Sequence, residues 1–290
     1  LSYFNDYVET NSFQYDGVNT VIELIEPGDH MVTFDLKNGF FHCPIDNNYR
    51  DYFGFQFNGA YYRWCVCPFG WSSSPYYFHK LLRPVTRFLS DNDIKNVIFV
   101  DDFQVISAPR SITDHRDFSV QVVEELGFVI NYEKSQLDAS TEKQFIGFIF
   151  NSIGPDGKPW IYMTSAKLRK LRRYIKQCIK SQYVSARYLS KICGQAVAMC
   201  KAIVPGMLKL RPLYNLLAKK SSWSDTLWID DASRDALQWW ADAAANWNGS
   251  PLESRPIEIQ IWTDSSDAGW GCVMNDKEAA GTWDSDIFYE

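Results

Sequence analysis

The sequence contains no run of about 18 consecutive apolar residues, so no segment of it reads as a membrane-spanning helix. Its opening, LSYFNDYVET, lacks the basic and apolar regions of a secretory leader. It also lacks an initiator methionine, which points to a piece of a longer chain. The CVC at 65–67 has no second Cys or His pair at zinc-finger spacing to complete a metal site. Seven cysteines, an odd number at irregular intervals, make no disulfide framework and are expected as reduced core thiols of an intracellular protein. Internal repeats and low-complexity tracts are absent. With 46% apolar and 16% aromatic residues the chain is globular, and its 290 residues are enough for two or three domains with cores.

The most informative absence is local. Between Thr164 and Lys220 there is no Asp or Glu, against fourteen Lys and Arg. The other fifteen basic residues face all thirty-five acids. The net charge of −6 therefore hides a strongly basic block inside an acidic protein. Such block asymmetry is a footprint of a polyanion partner; the plainer alternative is a solvated helical face.

Patterning divides the chain into short elements. YDGVNTVIELIEPGDH carries an amphipathic turn or two, stopped by Pro27 and Gly28. HMVTFDL reads as a strand with Asp35 near its end. DYFGFQFNGAYYRWCV reads as a hairpin about Asn58-Gly59. CPFGWSSSPYYFHKLLRPVTRFLSDND gives a loop and then a helix. NVIFVDDFQVIS reads as two strands around a two-residue Asp101-Asp102 turn, and HRDFSVQVVEELGFVIN as a helix ending at Gly127. EKQFIGFIFNSIGPDGKPWIYM reads as two more strands. The basic block reads as helix interrupted at Gly194 and Pro205-Gly206, followed by a helix in DDASRDALQWWADAAANW. NGSPLESRPIE reads as a linker, and IEIQIWTDSSDAGWGCVMNDKEAAGTW as a strand, a turn and a strand.

Adjacent aspartates between apolar runs are costly to bury and repel one another. Taken alone, Asp101-Asp102 is most often turn chemistry. If the strand ending at Asp35 lies beside that hairpin, three carboxylates converge above one sheet. Such a cluster calls for protonation, a Lys or Arg partner, or divalent cations, and all-oxygen ligation suits Mg²⁺ or Mn²⁺. Two such ions about 3.5–4 Å apart are the usual device of phosphoryl transfer.

Five segments in one order resemble the reverse transcriptase family. FVDD is similar to its metal-binding hairpin, and FDLKNGFFHCPI to its first catalytic motif. CPFGWSSSPYYFHKLL is similar to its Pro-Phe-Gly loop and helix, GFVINYEKSQL to its later lysine motif, and FIGFIF to its primer-grip hairpin. LLRPV and IVPGMLKLRPL are most similar to tyrosine-recombinase retrotransposons of the DIRS type, with long-terminal-repeat elements next.

The resemblance implies an α+β right-hand polymerase. It would comprise partial fingers and an antiparallel palm over 1–163, a basic helical thumb over 164–248, and a truncated ribonuclease H-like α/β module over 249–290. It implies that Asp35, Asp101 and Asp102 bind two Mg²⁺ ions (Mn²⁺ as the alternative), and that Lys134 protonates the leaving pyrophosphate. Leu36, Phe40, Phe69 and Gly70 would meet the dNTP, Phe40 as the gate against a 2′-hydroxyl. Phe145 and Gly147 would position the primer end. Lys167, Arg169, Lys170, Arg172, Arg173 and Lys176 would track phosphates without reading sequence.

Asn38 departs from the acid that many relatives carry there, and the basic finger strands of relatives would lie before Leu1. WTDSSDAGWG is similar to the start of a ribonuclease H fold, with Asp264 as its first metal-binding acid. The implied function is RNA- and DNA-directed DNA synthesis on an RNA template, DNA primer and RNA–DNA duplex, with no membrane partner. Two other readings stand beside it. One is an impaired fragment that only binds RNA–DNA duplex. The other is an RNA-dependent RNA polymerase, which Phe40 and the appended WTDSSDAGWG disfavour.

Overall fold

The computed structural model describes residues 2–9, 11–242, 244–252, 259–275 and 277–283. They fall into two compact units, Leu1–Leu252 and Glu253–Glu290. In the first unit the elements are α1 (Ser2–Asn5), α2 (Val18–Leu24), β1 (His30–Asp35), β2 (Gly54–Phe57), β3 (Ala60–Arg63), α3 (Ser74–Asp91), β4 (Lys95–Phe99) and β5 (Asp102–Ser107). These are followed by α4 (Ile112–Glu125), β6 (Gln136–Ser140), β7 (Glu142–Phe145), β8 (Phe148–Asn151), β9 (Trp160–Met163), α5 (Ser165–Ile179), β10 (Tyr183–Ser185), α6 (Ala186–Val197), α7 (Gly206–Ala218), β11 (Thr226–Trp228), α8 (Asp231–Asp242) and β12 (Ser250–Pro251). The second unit holds an antiparallel sheet of β13 (Ile261–Ser265), β14 (Gly269–Met274) and β15 (Lys277–Thr282). Among the described residues no helix is long and apolar enough to cross a membrane.

A four-stranded sheet in the order β4-β5-β1-β6 organises the first unit. β1, β4 and β5 read as largely apolar runs because both of their faces are buried, while the edge strand β6 is polar and mostly exposed. The alternation of side chains assigns each residue to a face. Val32, Phe34, Ile98, Phe103 and Val105 enter one core with Phe78, Leu82 and Leu89 of α3 and Val123 of α4. Met31, Val97 and Ile106 enter a second core, shared with α2, β7–β9 and helices α5–α8. The register pairs Asp35 with Asp102, Thr33 with Gln104 and Met31 with Ile106, so these six share the second face. The carboxylates thus end a row that becomes apolar further down the strands, where the second core begins.

Several expectations are corrected. The hairpin turn is Val100-Asp101, because Phe99 pairs with Asp102. Asp102 is a strand residue, and Val100 takes the left-handed conformation, φ 59°. This positive-φ first position normally favours glycine, so a β-branched residue there is strained. Residues 142–163 form three strands, since Ile146 and Gly147 (φ 50° and 76°) close an extra tight hairpin. The basic block breaks at β10, which pairs with β11, while Gly194 lies inside α6. Ser250–Pro251, read as linker, pairs with β9 and completes the order β12-β9-β8-β7. The second unit has a third strand, β15. Cys65 is exposed, and only Cys43, Cys67, Cys178 and Cys193 are buried. Asn58-Gly59 does close β2–β3, with φ 49° and 79°.

Candidate active site

Three chain segments set the acids. β1 delivers Asp35 directly opposite Asp102 on β5. The Leu36 N–H donates to the Asp101 carbonyl at 2.9 Å, tying the hairpin turn to the end of β1. The third segment, 129–135, runs beside β1: Lys37 N–H donates to the Val129 carbonyl at 2.7 Å and Asn131 N–H to the Asp35 carbonyl at 2.8 Å. Ser135 Oγ accepts from the Asp35 N–H at 3.1 Å and donates to the Asn131 carbonyl at 2.8 Å. These bonds carry Lys134 to the acids from a hundred residues away in sequence. Asp35, Asp101 and Asp102 each bring a carboxylate oxygen to within 4.8 Å of the others, and all three are half-buried.

The electrostatics are those of three like charges held close together. Burial pushes the Asp102 carboxyl up to about 6, helped by the charges of Asp101 and Asp35 and by a hydrogen bond with Asp35; only Lys134 opposes. Asp101 is also raised, first by burial and then by Asp35, with its own backbone N–H and Lys134 opposing. Oppositely placed like charges destabilise a sheet. A trio of half-buried carboxylates with one nearby lysine fits a divalent cation in ligand type and charge.

A cavity of about 360 Å³ brings six of the expected residues together: Asp35, Asp102, Lys134, Phe145, Gly147 and Lys167. The β7–β8 turn forms one wall. Lys167, from the first turns of α5, donates to the Ile146 carbonyl at 3.3 Å and lies 5.6 Å from the Phe148 ring centroid. It fills the space above Gly147 where a side chain would stand, and burial lowers its ammonium. Phe40 packs on Phe69 (5.2 Å) and Phe78 (5.6 Å), joining the first acid's segment to the Phe69-Gly70 loop. Asn5 holds that loop, its amide donating to the Gly70 carbonyl at 2.9 Å.

The helical cations form two groups. Arg169, Arg172, Arg173 and Lys176 recur at helical spacing and line a groove of about 600 Å³ with Gln177 and Lys180. Leu171, Ile175 and Cys178 bury the other face of α5. Lys167 belongs with the acids, and Lys170 is not part of the groove. Arg172 bridges Asp242 at 3.3 Å, so part of its charge is already matched. In the second unit Asp264 sits exposed on β13, opposite Gly271.

Three contributors escaped sequence reasoning. Ser135 and Asn131 hold Asp35. Tyr15 packs on Phe99 (5.5 Å) and has its phenol raised by burial and by Asp101. No pattern within either segment links residue 15 to residue 101. Asn38, the departure from the expected acid, has φ 66°, a left-handed conformation that asparagine tolerates; the 3-10 turn Gly39–His42 starts from it.

Residues 4–150 match the family described as Reverse transcriptase (RNA-dependent DNA polymerase). Relatives include a putative enzymatic polyprotein of Cassava vein mosaic virus, 27% identical over 44% of this chain and 19% of its own length. A genome polyprotein of Petunia vein clearing virus is 23% identical over 93% of this chain and 12% of its own length. The chain therefore spans less than a fifth of either polyprotein. A foamy viral protease-reverse transcriptase solved with double-stranded DNA superposes with TM-score 0.70 at 19% identity, over 97% of this chain and 48% of that one. The same viral enzyme with an RNA/DNA hybrid gives 0.68 at 20% identity, over 97% and 37%. The architecture is a polymerase fold of mixed α and β elements.

Proposed function

The chain belongs to the reverse transcriptase family, and on that premise we propose that it is an RNA-directed and DNA-directed DNA polymerase that joins dNTPs to a primer 3′-hydroxyl. The observation that carries the proposal is the convergence of Asp35, Asp101 and Asp102 within 4.8 Å, with Asp35 and Asp102 lining a cavity that also holds Lys134 and the β7–β8 turn. In this reading 1–163 are partial fingers and palm, 164–248 the thumb, and 249–290 the linker and start of a ribonuclease H-like module with Asp264 as its first metal-binding acid. The reading carries a retrotransposon origin of DIRS type and an intracellular setting, where RNA and dNTPs are found.

Asp35, Asp101 and Asp102 would hold two divalent ions, Mg²⁺ in preference to Mn²⁺. Such ions would supply charge neutralisation at the triphosphate and a more acidic primer hydroxyl. The rest falls to the chain. The Ile146-Gly147 turn, buttressed by Lys167, sets the height of the primer end above the acids. Phe40, braced by Phe69 and Phe78, would act as the gate against a 2′-hydroxyl. Leu36 fixes Asp101 through its N–H, and the Phe69-Gly70 loop bounds the nucleotide. Lys134, which lines the cavity with Asp35 and Asp102, would give a proton to departing pyrophosphate. Arg169, Arg173 and Lys176 hold duplex phosphates along the groove of α5, with Lys170 beside them and Arg172 shared with Asp242.

A second reading, duplex binding without synthesis, draws on the basic groove of α5, whose lining includes none of the three acids. Primer extension on an RNA template with Mg²⁺ and either dNTPs or rNTPs separates the two. Extension by dNTPs supports the polymerase. Salt-sensitive duplex binding with no extension supports the binding module. Extension by rNTPs as efficient as by dNTPs removes Phe40 from its assigned role.

A further inference from the structure

Cys43 and Cys67 have no part in the chemistry above, yet they join its two nucleotide-side segments. Pro44 pairs antiparallel with Val66 in an isolated bridge. The flanking bonds run from the Cys67 N–H to the Cys43 carbonyl at 2.9 Å and from the Ile45 N–H to the Cys65 carbonyl at 2.8 Å. Cys43 and Cys67 are therefore directly opposed, a geometry that sets Cα atoms about 5.5 Å apart with side chains on one side. Disulfides bridge Cα separations of about 4.4–6.8 Å.

The pair is buried, at 5% and 3% exposure, but not sealed. Both residues line a cavity of about 380 Å³ whose walls include Phe4, Phe53, Trp71 and Tyr77. The Trp71 indole N–H is buried without a hydrogen-bond partner. The neighbouring Cys43 thiol holds the Cys67 thiol below its ordinary range, against burial. The same contact, and then burial, push Cys43 up. Two opposed thiols, one of them the more acidic, are the arrangement of an oxidisable dithiol.

We propose that Cys43 and Cys67 form an oxidisable dithiol, which hydroperoxides convert to an intramolecular disulfide tying the Gly39–His42 turn to the Phe69-Gly70 loop. The Cys67 thiolate attacks a peroxide oxygen, forming a sulfenic acid as the O–O bond breaks; with hydrogen peroxide the departing hydroxide takes a proton and leaves as water. The Cys43 sulfur then attacks the Cys67 sulfur, gives up its proton, and releases a second water. Two thiols lose two electrons and the peroxide gains them. The disulfide holds Phe40 against Phe69, and this consequence alone rests on the polymerase reading.

The test uses the full chain, treated with hydrogen peroxide, alkylated with N-ethylmaleimide and mapped by peptide mass. Free thiols should fall from seven to five, with a Cys43–Cys67 linked peptide that dithiothreitol reverses. The link should persist in Cys65→Ser. In Cys43→Ser, dimedone should trap a sulfenic acid on Cys67. Full alkylation of Cys43 and Cys67 at a peroxide dose that oxidises exposed Cys65 overturns the proposal, as does a Cys65–Cys67 link in place of the expected one. If Cys43→Ser does not fold, the wild-type and Cys65→Ser maps decide. Primer extension before and after oxidation reads the consequence separately: no extension in either state counts against the polymerase and leaves the disulfide standing.

Discussion

Replacing Asp102 by asparagine should make the metal-free protein more stable while removing its metal affinity. Burial and the neighbouring charges of Asp101 and Asp35 raise the Asp102 carboxyl from 3.8 to about 6. Between those values the folded chain binds more protons than the unfolded one, so stability falls as pH rises. The contribution is unperturbed below about pH 4 and fully lost above about pH 6. At about 1.4 kcal/mol per unit the ceiling is about 3 kcal/mol, and solvent reaching a half-buried carboxylate reduces it to roughly 1–2 kcal/mol. Asparagine keeps the shape and never ionises. In urea with EDTA, Asp102→Asn should gain roughly 1–2 kcal/mol at pH 7.5 and almost nothing at pH 4. Millimolar Mg²⁺ should then stabilise the wild type by binding its folded state, and leave the variant unmoved. A variant no more stable than wild type at pH 7.5, or equally stabilised at both pH values, would refute the charge-cluster account.

Other consequences can be read alongside. Val100→Gly should gain about 1 kcal/mol in the same denaturation, because relief of a β-branched residue at φ 59° outweighs the extra freedom of glycine; a loss of stability would show the turn to be unstrained. Phe40→Ala should erode discrimination against rNTPs by about 10-fold or more in single-nucleotide incorporation, with dNTP use retained; unchanged discrimination removes the gate. Arg169→Ala with Arg173→Ala should reduce the slope of log affinity against log salt by roughly 2 in duplex-binding titrations, evenly across sequences. An unaltered slope would place the duplex elsewhere.

Local signals were legible and distant registers were not. Asn58-Gly59 announced its hairpin because two positive-φ positions admit few residues. Asp35 at the end of HMVTFD and the apolar runs about the aspartate pair gave the trio, since strand ends and buried strands have compositional marks. The turn itself was misplaced by one residue. Aspartates suit turns and valine does not, yet pairing with β1 forces Asp102 into the strand and Val100 into the left-handed position. SQYVS reads as part of a helical run because its partner β11 lies more than forty residues away. Ser250–Pro251 looked like a linker because a two-residue strand has no periodicity to read. The supports of the site, Ser135 against Asp35 and Tyr15 against Phe99, depend on contacts that no local pattern encodes.

The trio's role in synthesis is tested most directly by extension of a DNA primer on an RNA template with Mg²⁺ and dNTPs, wild type beside Asp101→Asn at equal, verified duplex binding. The account predicts extension by the wild type, abolished by EDTA, and loss of extension in the variant with binding intact. Equal extension by both proteins would contradict it.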